Sequence, residues 1–157
     1  MIPEQQLASL LSREINCLQM LLDILNQEYN ALISADINAI EQATTAKNQA
    51  LATQAEITQS RRNMTIQSSF SGTNEGLQQL IATCENQKEL SASFSLLSSL
   101  ARQCKITNRS NGRLILQKQQ QARGALDIIR QSDHNTPTYS GQGKTTAILD
   151  TRSLGKA

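Results

Sequence analysis

Apolar residues recur along this chain at intervals of three and four, and that period sets the elements it predicts. From Glu4 to about Ile33, the residues Leu11, Ile15, Leu18, Leu22, Leu25, Tyr29 and Leu32 form the seam of a packed amphipathic helix. Leu7, Leu10, Leu21 and Ile24 widen the stripe, so this helix should face more than one neighbour. Pro3 suits its first turn, where a missing N–H costs little. Ser34-Ala35-Asp36 then supplies cap chemistry, through either Ser34 or Asp36. So short a link requires the next helix to run antiparallel to the first. That second helix is expected over 36–69, with Ala39, Ala43, Ala46, Ala50, Ile57 and Met64 on its seam. The small residues let two backbones approach closely.

Ser68 to Asn74 reads as a loop, and Thr73 or Asn74 can cap a short helix over 75–86 marked by Leu77, Leu80, Ile81 and Cys84. The apolar phase shifts at Glu85-Asn86-Gln87, which predicts a kink or turn; a continuous helix is the alternative. Over 87–131 a strict four-three alternation runs from Leu90 through Phe94, Leu97, Ala101 and Cys104 to Asn108, Asn111 and Ile115. It continues through Lys118, Ala122, Ala125 and Ile129, a coiled-coil-type register. At 1.5 Å per residue this helix would reach about 68 Å against about 45–50 Å for the first two, so it should overhang them.

Such an overhang carries Leu114, Ile115, Leu116, Ala122, Leu126, Ile128 and Ile129 with no partner in the same chain. At about 25 cal/mol per Å² an apolar stripe is costly to leave in water. Gly112 and Gly124 each weaken the helix by about 1 kcal/mol relative to Ala. A helix both weak and apolar on one face suits ordering on a helical partner. Self-association of two overhangs, or folding back onto the bundle, would cover the same surface. Asn108 and Asn111 lie on the seam itself: buried, they need hydrogen-bond partners and set register; exposed, they frame a partner site.

Composition agrees with the pattern. The 157 residues include 19 Gln and 16 Ser but only seven Gly, two Pro and 3% aromatics, which disfavours a β-sandwich or an α/β enzyme. The expected fold is all-α: an elongated antiparallel helical bundle over 1–131 with a flexible tail over 132–157. No apolar run approaches the roughly 18–20 residues of a membrane span. The start, Met1-Ile2-Pro3-Glu4-Gln5-Gln6, lacks the pattern of a secretory signal. Cys17, Cys84 and Cys104 are odd in number and widely spaced, and read as core residues in a reducing compartment.

The net charge of +2 hides an asymmetry: residues 1–100 balance to −5 and residues 101–157 to +7. Arg102, Lys105, Arg109 and Arg113 make a basic stripe on the last helix. A nucleic-acid module would need such a stripe, but stacking aromatics and a helix-turn-helix pattern are missing. Gly143-Lys144-Thr145 resembles the end of a phosphate-binding loop, yet Thr138 stands where its first glycine belongs. His134 has only Asp133 beside it, acidic residues are spread singly over helix surfaces, and no nucleophile elbow occurs. No enzyme, cofactor, metal or small-molecule substrate is expected.

The Leu-rich first helix, Ala31-Leu32-Ile33-Ser34-Ala35-Asp36, Glu41 and Lys47 together resemble the FlgN-type flagellar export chaperones. Asn108-Arg109-Ser110-Asn111-Gly112 on a long final helix and Tyr139-Ser140-Gly141-Gln142-Gly143 extend the likeness over nearly the whole chain. The resemblance implies a bacterial cytoplasmic, non-catalytic chaperone. Such a protein binds the C-terminal helices of hook-associated (hook-filament junction) proteins, prevents premature assembly and delivers them to the type III export gate. The export ATPase complex is a further candidate partner. Carried onto this sequence, the client surface would comprise Asn108, Asn111, Ile115, Ala122, Leu126 and Ile129, and Tyr139 would dock at the gate. A self-associating coiled-coil adaptor and a nucleic-acid-binding helical module are the alternatives.

Overall fold

The computed structural model describes residues 3–134 together with 138–139 and 145–146, and the side chains of 4–134. Four helices account for nearly all of this: α1 (Pro3–Ser34), α2 (Ile37–Gln67), α3 (Asn74–Ala82) and α4 (Gln87–His134). Two-residue strands β1 (Thr138–Tyr139) and β2 (Thr145–Thr146) pair antiparallel. The fold is an all-α helical bundle. No helix among the described residues is long and apolar enough to cross a membrane. The chain divides into two units, residues 1–115 and 116–157.

In the first unit, α1 is the central helix. Its buried positions repeat every seven residues in three adjacent rows, of which Leu11, Leu18, Leu25 and Leu32 form one. A stripe that wide can meet two helices, and it does. Glu14 pairs with Arg61 and Glu28 with Lys47, so α2 descends as α1 ascends. Against α4, the Cys104 thiol donates to the Leu18 carbonyl and the Asn111 amide to the Leu25 carbonyl, both across 86 residues. That constant offset makes α4 parallel to α1. Leu77, Leu80 and Ile81 of α3 join the same core.

Local chemistry fixes the helix ends. Asp36, rather than Ser34, caps α2 by accepting from the Ala39 N–H at 3.1 Å. Ser34 instead donates back to the Asn30 carbonyl. Ala35 takes a φ of 54° to close α1, a left-handed conformation that glycine normally supplies. Thr73 caps α3 through the Gly76 N–H. The turn at 83–86 separates α3 from α4, and the Glu4 carboxylate accepts from the Glu85 N–H within it.

Three expectations need correction. Tyr29, placed on the α1 seam, is 46% exposed, because its neighbour Glu28 takes the buried position at 1%. Acidic residues are therefore not all on helix surfaces: Glu14 and Glu28 lie within the bundle, each matched to a cation. Residues 132–134, assigned to the tail, form the last turn of α4. Of the remaining tail, only 138–139 and 145–146 fall within the described residues.

Candidate functional site: the C-terminal part of α4

Helix α4 changes character along its length. Leu90, Leu97, Cys104 and Asn111 form one buried row, seven residues apart. From Leu116 to His134 every side chain is exposed apart from a half-buried Lys118. Leu116 is 60% exposed, Leu126 53%, Ile128 68% and Ile129 55%.

At about 100° of rotation per residue, Ala122, Leu126 and Ile129 fall within a sector of about 60°. Lys118 borders that sector on one edge, and Arg123 and Arg130 border the other. Leu116 and Ile128 point away from it. The result is a narrow apolar strip between cationic edges, of a shape suited to a second helix. A Cβ at Gly124 would meet nothing, so this glycine is not required by packing. Its effect is to lower the helix propensity of the segment that carries the strip.

The sequence-predicted site residues do not all converge. Ala122, Leu126 and Ile129 lie exposed on the strip, and Ile115, the last residue of the first unit, is half-buried. Asn108 is exposed. Asn111 is 1% exposed and faces α1: its Nδ2 donates to the Leu25 carbonyl at 2.9 Å and to Glu28 Oε2 at 2.8 Å. Of the two readings its seam position allowed, it takes the buried one, with its amide engaged within the bundle. Tyr139 lies on β1 opposite Thr145, and its side chain is outside the described residues.

Two polar clusters escaped the sequence reading. Glu28 joins three helices, taking Lys47 Nζ at 2.7 Å on one oxygen and Asn111 on the other. Glu14 accepts from Arg61 Nε at 2.6 Å and from the Thr58 hydroxyl at 2.8 Å. One signal was available: Glu14 and Glu28 share a seven-residue row with Leu7 and Leu21, where a solvated side chain has no place. The three thiols are pushed above their usual range, chiefly by burial, which favours the protonated form. No cluster of His, Cys, Asp or Glu able to hold a metal occurs among the described residues.

The chain belongs to the FlgN family of flagellar proteins, whose model, described as FlgN protein, matches residues 1–147. A crystal structure from Pseudomonas aeruginosa, described as a flagella synthesis protein FlgN, shares the fold with a TM-score of 0.66 at 24% identity. The match covers 70% of this chain and 86% of that one. No curated protein matches this chain.

Proposed function

We propose that this protein is a cytoplasmic, non-catalytic flagellar export chaperone. It would capture C-terminal helices of hook-filament junction proteins on the strip formed by Ala122, Leu126 and Ile129. The clients are thereby kept unassembled until delivery to the type III export gate, with Tyr139 as the candidate docking residue and the export ATPase complex as a further candidate partner. The observation that carries this reading is the exposure of large apolar side chains on the C-terminal part of α4. Family membership supplies the flagellar context.

The strip suits an amphipathic helix because affinity would come from apolar burial and orientation from the cationic edges. Leu126→Asp with Ile129→Asp removes two side chains that are more than half exposed in the free protein. Their burial against a client contributes about 3 kcal/mol, on the order of a hundredfold in Kd. Calorimetric titration with a junction-protein C-terminal peptide should show that loss while circular dichroism shows an intact bundle. Unchanged affinity would exclude the strip as the client surface. The self-association reading predicts instead a concentration-dependent dimer that the same pair of substitutions dissolves.

A further inference from the structure

The first unit carries a second feature that client capture on the strip does not use. Where α2 and α4 flank α1, they leave a groove of about 270 Å³. Its floor is Leu18, Leu21 and Leu25. Leu51, 45% exposed, stands on the α2 wall, and Ala101 and Lys105 stand on the α4 wall.

The charge on that wall is one-sided. Between Glu89 and Ile115, α4 holds four cationic residues and no acid. Arg102, Lys105, Arg109 and Arg113 are all exposed, and none forms an ion pair among the described residues. On the opposite wall the Lys47 ammonium is held by Glu28. An apolar floor beside uncompensated positive charge complements a helix with an apolar stripe and an acidic flank. A nucleic acid would match the charge alone; it would leave the leucine floor unused, and no aromatic lines the groove for base stacking.

We propose that this groove, floored by Leu18, Leu21 and Leu25 with Lys105 on its rim and Arg109 one turn further along α4, docks a short amphipathic helix of a partner protein whose apolar stripe is flanked by Asp or Glu. Leu18 to Leu25 spans about two helical turns, so apolar side chains from about two turns of the partner helix enter the groove, and a 14-residue peptide extends past both its ends.

The test uses the full chain and three labelled 14-residue peptides with one leucine stripe and flanks of Glu, Lys or Gln, followed by fluorescence anisotropy at two salt concentrations. The Glu peptide should bind, weaken with salt, and exceed the Lys peptide at least tenfold. Lys105→Glu with Arg109→Glu should reverse that order. Leu51→Lys should weaken the Glu peptide about tenfold even though it adds a cation, and Ala101→Lys on the facing wall should do the same. Leu126→Asp with Ile129→Asp should leave this binding unchanged, which separates it from client capture. Equal binding of all three peptides, indifference to both Leu51→Lys and Ala101→Lys, or displacement of the Glu peptide by a single-stranded oligonucleotide would overturn the proposal.

Discussion

Replacing Arg61 by Met tests how the bundle tolerates charge in its interior. Arg61 is 7% exposed and Glu14 2%. The guanidinium donates to both carboxylate oxygens, from Nε at 2.6 Å and from Nη2 at 3.3 Å. Thr58 and Gln54 donate to Oε1 at 2.8 Å and 3.2 Å. Arg61→Met leaves a buried carboxylate with only those two neutral donors, at a cost of about 3–5 kcal/mol. Unfolding entropy for about 115 residues is roughly 0.24 kcal/mol/K, so about 4 kcal/mol lowers the midpoint by about 15 °C. Glu14→Gln with Arg61→Met removes both charges and keeps an acceptor for Thr58 and Gln54. That double variant should recover to within about 2 kcal/mol of the parent. Thermal melts followed at 222 nm provide the assay. A single variant melting within about 2 °C of the parent, or a double variant melting as low as the single, would refute the reasoning.

Gly76→Ala should destabilise by about 1–3 kcal/mol in denaturant titration, because its Cβ would collide with the backbone carbonyl of Ser71. Gly124→Ala, where a Cβ meets nothing, should raise helicity by circular dichroism and stabilise its segment by about 1 kcal/mol. Ala35→Gly relieves the left-handed backbone at the α1 terminus and should raise stability by about 1 kcal/mol; a lower midpoint would count against that geometry. In native labelling with a thiol reagent, partly exposed Cys84 should react before buried Cys17 and Cys104, which should require unfolding.

The four helices were legible because each writes its buried face into a period of three and four, and the caps at Asp36 and Thr73 stand where the period stops. The exposed strip was legible too, since Ala122, Leu126 and Ile129 have no matching apolar row on another segment. What escaped was set by pairing between helices. The seven-residue row through Leu7 and Leu21 places Glu28 inward, but spacing along one helix does not encode the Lys47 and Asn111 that stand opposite to hold its charge. Asn111 illustrates the same limit: its seam position allowed two readings, and the partner on α1 decided between them. The groove between α2 and α4 is likewise a product of how three helices meet.

On the proposed function, a helical client binds the uncovered strip on the C-terminal part of α4. Amide hydrogen exchange over residues 116–134, with and without a junction-protein C-terminal peptide, addresses it directly. Client binding should slow exchange from Leu116 through about Arg130 by at least tenfold, leaving α1 near Glu14 unchanged. Protection that appears only within residues 3–115, or nowhere, would contradict the account.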